Sequence, residues 1–208
     1  MRRVRVCRSG GPRAGVGAAR LPGMTELGPV PWPPDPIRTG RLVLRASEAR
    51  DRAAVVELFS SPQVGAGIGG PQPPERFDRA VLEREMPEVP GDRPGFLVVE
   101  LDGAAIGAVT FDRRPAEPGS TRPDGEVGIG YLFLPGVWGR GYATEACAAA
   151  LDWLARALPG EPVLLCTALD NGRSVRLAAR LGFAEVERFR AYGAEQWLGV
   201  RVPPPPSR

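Results

Sequence analysis

The stretch Gly128-Ile-Gly-Tyr-Leu-Phe-Leu-Pro-Gly-Val-Trp-Gly-Arg-Gly-Tyr-Ala-Thr-Glu-Ala146 reads as strand, turn and helix. Val127, Ile129, Tyr131 and Phe133 place β-prone residues at period two, and Leu132 and Leu134 make the end of the run apolar on both faces, as in a buried central strand. Pro135-Gly136 stops the strand. From about Arg140 the apolar spacing becomes three and four, through Ala143, Ala146, Cys147, Ala150, Leu151 and Leu154, which is the period of a helix packed on one face. Between the two lies Gly139-Arg-Gly141. Two residues without a Cβ at a helix start leave unpaired backbone N–H groups and the positive end of the helix dipole open to a ligand, which suits a phosphate or pyrophosphate. A tight strand-to-helix connection with no ligand is the competing reading. The spacing matches neither G-x-G-x-x-G nor G-x-x-x-x-G-K-S/T, the latter because the chain has no lysine.

Outward from this stretch, Arg41-Leu-Val-Leu-Arg45 alternates as a first strand and Glu48–Phe59 is amphipathic as a helix. Ser60–Pro74, dense in Gly and Pro, is expected to form no regular element and reads as an ordinary surface loop. Glu75–Glu85 reads as a second helix. Gly95–Leu101 and Ala104–Phe111, joined by Asp102-Gly103, form a hairpin, followed by a loop over Asp112–Asp124. After the central strand (Glu126–Leu134) and the long helix (Arg140–Leu158) come a buried strand at Val163–Ala168, a helix at Gly172–Leu181 with Asp170-Asn171 where its cap is wanted, and closing strands at Phe183–Arg190 and Glu195–Val202. This order predicts an α/β fold, a mixed, mostly antiparallel twisted sheet of six to seven strands flanked by about four helices.

The chain has 208 residues, enough for one domain. Its formal charge of +3 is misleading: six arginines and no acid fall within Met1–Gly23, leaving 21 basic against 24 acidic residues, net −3. Such a balance gives no case for a nucleic-acid partner and suits an amine-bearing substrate. Residues 1–37 read as an unfolded Arg/Gly/Pro-rich extension, with Met24 a plausible initiator; 38–202 read as the domain and 203–208 as a Pro-rich tail. Arg2-Arg3 precedes no apolar segment, and no run reaches membrane-spanning length, so neither export nor a membrane is expected. Cys7, Cys147 and Cys166 are odd in number and lack metal or redox spacing, which suits the cytoplasm. Monomer and homodimer both stay open.

Tyr131 through Ala146 closely resembles the acetyl-CoA-binding segment of the GNAT N-acetyltransferase superfamily, in the branch of the ribosomal-protein-alanine N-acetyltransferases. Trp138-Gly-Arg-Gly141-Tyr-Ala143 occupies the superfamily's Gln/Arg-x-x-Gly-x-Gly/Ala motif, with Trp138 in the first position as this branch often has an aromatic. A second string, Asp170-Asn-Gly-Arg-Ser-Val-Arg-Leu-Ala-Ala-Arg-Leu-Gly-Phe183, resembles the superfamily's Asn-x-x-Ser/Ala followed by Leu-Gly-Phe. The resemblance spans about Ile37 to Val202 and implies the GNAT fold, acetyl-CoA as co-substrate, no metal, and transfer to a protein N-terminus or a small-molecule amine. It implies that backbone amides around Leu132, Phe133 and Leu134 pair with the pantetheine arm and the acetyl carbonyl. Amides from Trp138 through Gly139, Arg140, Gly141, Tyr142, Ala143 and Thr144 would hold the pyrophosphate, with the Arg140 side chain in reach of a phosphate. Trp138 and Tyr142 also read as packing residues around the turn.

Two proton transfers accompany such a reaction, and the chain has no histidine for either. Glu126 is the nearest carboxylate on the central strand and shares a face with Gly128 and Gly130, which leave that face bare. The branch commonly carries its carboxylate at the position of Gly128. Glu126 acts from two residues away, or is reoriented by a bulge, or is a solvated strand-start residue in a protein that needs no base. For the acid, the superfamily's frequent Tyr falls at Ala178, whereas the branch points to Ser174, which would otherwise cap its own helix. Asn171 contacts the coenzyme, caps the helix, or both. With Gly128 and Ala178 at two functional positions, a catalytically inactive acyl-CoA-binding sensor is the alternative.

Overall fold

In the computed structural model, which describes residues 27–65, 78–191 and 193–203, eight strands form one sheet. They are β1 (Ile37–Arg38), β2 (Val43–Arg45), β3 (Phe96–Leu101), β4 (Ala104–Arg114), β5 (Glu126–Phe133), β6 (Val163–Ala168), β7 (Ala184–Ala191) and β8 (Ala194–Arg201), in the order β1-β2-β3-β4-β5-β6-β8-β7. Five helices are described: α1 (Arg52–Ser60), α2 (Pro62–Gly65), α3 (Arg79–Glu85), α4 (Tyr142–Ala157) and α5 (Gly172–Arg180). Every strand pairing is antiparallel except β5 with β6, and that pair is joined by α4 as a crossover.

The hairpin between β3 and β4 forms as expected, with Asp102 and Gly103 at φ 49° and 83°, the left-handed pair a two-residue turn needs. Several expectations need correction. The sheet has eight strands instead of six to seven, because β1 is two residues long and is held by Ile37 and Arg38 pairing with Leu44 and Val43, which no periodicity could signal. β4 runs three residues into the expected loop, since Asp112, Arg113 and Arg114 find partners in Gly128, Val127 and Glu126. Within Ser60–Pro74, α1 continues to Ser60 and Pro62–Gly65 makes one helical turn; positions 66–74, like 75–77 of the second expected helix, lie outside the described residues. α3 starts at Arg79, where the Asp78 carboxylate accepts from the N–H groups of Ala80 and Val81. The described end of the N-terminal extension packs on the core: Leu27 is fully buried, and Trp32 meets Trp153 edge-on at 6.2 Å. Positions 1–26, with the Met24 reading, lie outside the described residues.

The two faces of the sheet carry separate clusters. Leu44, Val109, Phe111, Ile129 and Phe133 pack against Leu151 and Leu154 of α4 and Leu177 of α5. On the other face Phe96, Val98 and Ala108 pack against Leu58 of α1 and Val64 of α2. α1 is also tied down by charge. Arg45 on β2 is buried and closes its guanidinium on Asp51 at 2.7 and 2.9 Å and on Glu100 of β3 at 2.9 Å. Burial of Asp51 favours its neutral form. Arg45 and the Glu48 N–H nevertheless hold its carboxyl below the usual carboxylate range. Among the described residues no helix is long and apolar enough to cross a membrane.

Removing Asp51 leaves the buried Arg45 guanidinium with Glu100 as its close carboxylate and empties two of its hydrogen bonds, so Asp51→Ala is expected to cost about 2–3 kcal/mol, a fall in melting temperature of roughly 4–12 °C for a domain of this size. A carboxyl with a lowered folded pKa stabilises above its unfolded value, about 3.9, and loses that contribution as pH falls through the folded one. The gap between wild type and Asp51→Ala should therefore narrow below roughly pH 4. Thermal denaturation across pH checks both, and a neutral-pH loss under about 3 °C contradicts this account.

Candidate functional site

β5 has a full partner on one side only. All eight of its residues pair with β4, from Gly107↔Phe133 to Arg114↔Glu126, but only Val127 and Gly128 pair with β6. Beyond Gly128 the two parallel strands part, exposing roughly 15 Å of strand edge. The amides at that edge follow from the register. Leu134 donates its N–H to Ile106 O at 2.9 Å. Antiparallel pairs alternate between bonded and unbonded, so Leu132 exchanges both its bonds with Ala108. Tyr131 and Phe133, opposite Val109 and Gly107, therefore turn their N–H groups toward β6. Of the three residues expected to offer amides, Phe133 alone faces the gap; Leu132 and Leu134 are committed to β4, and Tyr131 joins Phe133 instead.

The gap opens into a cleft of about 830 Å³, walled by β5, the turn after it, the start of α4 and one face of α5, with Gln63 and Val64 of α2 at its rim. The turn is built by Pro135–Val137 in a single 3₁₀ turn, then by Gly139 and Gly141 at φ 77° and 81°, left-handed values that exclude most side chains. Gly141 is the N-cap of α4 and no side chain caps this end. Glu145 N–H is the first to find a helical acceptor, Gly141 O at 3.1 Å, so the amides of Tyr142, Ala143 and Thr144 point out unpaired at the positive end of a 16-residue helix. Trp138 does not contribute an amide as expected, because its N–H closes on Pro135 O at 3.2 Å. Its indole N–H donates to Phe133 O at 2.7 Å, and its exposed ring lies 5.6 Å from the Arg173 guanidinium.

This corner is pinned from the far edge of the sheet. Glu145, in the first turn of α4, accepts from the Thr39 hydroxyl at 2.6 Å, from Arg41 N–H at 3.0 Å and from Arg41 Nε at 2.7 Å. Arg41 also donates to Arg140 O at 3.1 Å and stacks 4.5 Å over Tyr142. Desolvation works against the Glu145 charge, but these donors outweigh it and keep the carboxyl below its usual range. The expected Arg140 side chain is exposed and does not line the cleft; the arginines that do are Arg173, Arg176 and Arg180, one face of α5. Their spacing of three and four is visible in the sequence, but the side they face depends on how α5 sits on β6.

Ser174 and Asn171 both line the cleft. Asn171 caps α5, its Oδ1 accepting Ser174 N–H at 3.2 Å. Ser174 is not spent on its own helix: its Oγ accepts from the Tyr131 hydroxyl at 2.8 Å. Burial pushes the Tyr131 phenol up to about 12, against a smaller opposite effect of Ser174. Tyr131 is thus a candidate functional residue that sequence reasoning placed on the strand without a role. Glu126 is corrected outright. It sits seven residues, about 23 Å, before Phe133, outside the cleft, with its carboxylate held by Arg122 through Nε at 2.8 Å and through Nη2. The face it shares with Gly128 and Gly130 is not bare either, since Arg114 lies over it.

Comparison with known proteins identifies the family. Similar solved structures include an acetyltransferase from Agrobacterium tumefaciens (25% identity, TM-score 0.60, covering 83% of this chain and 97% of that one). A GNAT-family acetyltransferase from Bacillus anthracis is 21% identical with a TM-score of 0.60, over 81% and 98% of the two chains. Mycobacterium smegmatis RimJ, solved in complex with CoA-disulfide, is 22% identical with a TM-score of 0.58, over 82% and 88%. Residues 41–184 match the acetyltransferase (GNAT) domain family. The chain belongs to the GNAT acetyltransferase family and is an N-acetyltransferase.

Proposed function

We propose that the protein binds acetyl-CoA along the free edge of β5 and transfers its acetyl group to a primary amine, a protein N-terminus or a small molecule, by direct attack. The observation that carries this reading is the parting of β5 from β6 after Gly128, with an uncapped helix start at the outer end of the same cleft. The coenzyme fits that shape on three counts: unpaired N–H groups at Tyr131 and Phe133 for an amide-rich arm, unpaired N–H groups at the start of α4 for a diphosphate, and three α5 arginines for further phosphate charge. When bound it supplies an activated thioester; the protein's residues orient it and stabilise the charge that develops.

Tyr131 and Ser174 act on the departing sulfur. Full proton transfer from a phenol near 12 to a thiolate of pKa roughly 8.5 runs uphill by about 5 kcal/mol. The pair therefore serves as a hydrogen-bond donor: Tyr131 donates to Ser174 Oγ, which leaves the Ser174 O–H free to donate to the sulfur. Glu126 is engaged by Arg122 outside the cleft and the chain has no histidine, so the acceptor's proton passes to solvent or to Asp170, the carboxylate that lines the cleft.

Three outcomes test this. Gly141→Ala, which strains a left-handed N-cap by roughly 1–2 kcal/mol, should raise the calorimetric Kd for CoA about tenfold; unchanged affinity contradicts a diphosphate site at this corner. Ser174→Ala and Tyr131→Phe should lower kcat by about tenfold to a hundredfold with the acetyl-CoA Kd nearly constant, and full activity in both would remove them from the chemistry. Glu126→Gln should change kcat/KM less than about twofold, with the pH profile tracking the pKa of the amine supplied; loss of the profile's acidic limb in this variant would restore Glu126 as the base.

A further inference from the structure

The face of β5 turned away from α4 holds a cation that acetyl transfer has not accounted for. A Cβ on Gly128 would lie 2.0 Å from Arg114 Nε and 2.3 Å from its Cδ, and one on Gly130 would lie 3.9 Å from Arg114 Nη2. The Arg114 side chain therefore crosses over Gly128 and reaches toward Gly130, beside Thr110, where the β5–β6 ladder ends and the cleft begins. Gly128 is not among the residues at positive φ, so the arginine above it, and not the backbone, is what requires a glycine there.

The guanidinium fork is open. Nε is buried with no hydrogen-bond partner among the described residues. Among the described residues Nη2 donates only to Ile129 O, at 3.4 Å, and Nη1 lies 3.6 Å from Glu117 Oε1, an ion-pair contact too long for a hydrogen bond. Arg45, by contrast, closes its fork with bonds of 2.7–3.1 Å. Of the neighbouring carboxylates, Asp112 pairs with Arg93 at 2.5 Å and also feels the Arg114 charge, and Glu187 accepts from the Ser120 hydroxyl at 2.6 Å and the Thr121 N–H at 2.9 Å. A planar, partly desolvated guanidinium with unfilled donors matches a carboxylate, which accepts two parallel N–H bonds.

We propose that Arg114 reads the acceptor: its guanidinium binds a carboxylate carried by the amine substrate, so that the enzyme prefers amines with an acidic group a few bonds from the nitrogen. This rests on the acetyl-transfer reading of the cleft. Glu117 holds the arginine over the glycines until the substrate carboxylate arrives, and the carboxylate then fixes the amine at the head of the gap.

The test uses acceptors matched as acid and amide, glycine with glycinamide, β-alanine with β-alaninamide, and peptides beginning Asp with peptides beginning Asn. The wild type should favour the acids by about tenfold to a hundredfold in kcat/KM, and should bind the N-acetylated acid products tighter than the amides by calorimetry. Arg114→Leu should bring both ratios near one and Arg114→Lys should leave a reduced preference, with melting temperature and acetyl-CoA Kd unchanged. Gly128→Ala, which keeps the arginine but displaces it, should act like Arg114→Leu. A wild-type preference under about twofold in every pair, or one that survives Arg114→Leu, overturns the proposal while the acetyl-CoA Kd leaves the coenzyme reading standing. Failure of the wild type to bind acetyl-CoA overturns both.

Discussion

The structure depends on two parallel strands that pair for two residues and then separate. A parallel strand inside a sheet ordinarily has both edges satisfied, and leaving backbone N–H groups unpaired in a partly buried edge costs free energy that nothing among the described residues recovers. β5 tolerates the loss because its other edge is bonded to β4 along its whole length and its side chains are anchored on both faces, by Ile129 and Phe133 beneath α4 and by Leu132 toward α2. β6 tolerates it because β8 pairs with all six of its residues. Each strand is held from outside, so the gap between them is kept open by the rest of the sheet.

The same logic explains why distant residues shape one corner. The first turn of α4 has a left-handed glycine as its cap and no side chain to hold it. Thr39 and Arg41, from the turn between β1 and β2, supply that support through Glu145. Glu145 also places negative charge in the first turn, where the helix dipole favours it, without covering the N–H groups of Tyr142–Thr144. Arg45, Asp51 and Glu100 do the corresponding work for α1, and through it for the α2 rim of the cleft.

Much of this was legible in the sequence, for physical reasons that particular residues illustrate. The hairpin at Asp102-Gly103, the glycine corner before α4 and the Asn171 cap are local, because φ > 0 and a side-chain cap are demands a short stretch makes on its own composition. That Ser174 sits three positions after Asn171 at one helix start is likewise local. What stayed hidden was non-local. Period two said that Glu126, Gly128 and Gly130 share a face, but not that Arg114 from the neighbouring strand lies across it or that Arg122 holds Glu126. Nor could it say which of Leu132, Phe133 and Leu134 points its amide outward, since that depends on the register with β4, which a shift of one residue would invert. The Tyr131–Ser174 bond spans 43 positions, and only the fold brings the two hydroxyls together.

The most direct measurement is amide hydrogen exchange, resolved by residue, with and without CoA. The N–H groups of Tyr131 and Phe133, and those of Tyr142 through Thr144, should exchange markedly more slowly when CoA is present. Leu132 and Leu134, already bonded within the sheet, should change little. Protection that falls on Leu132 and Leu134, or on none of these residues, would contradict a coenzyme bound as the missing partner of β5.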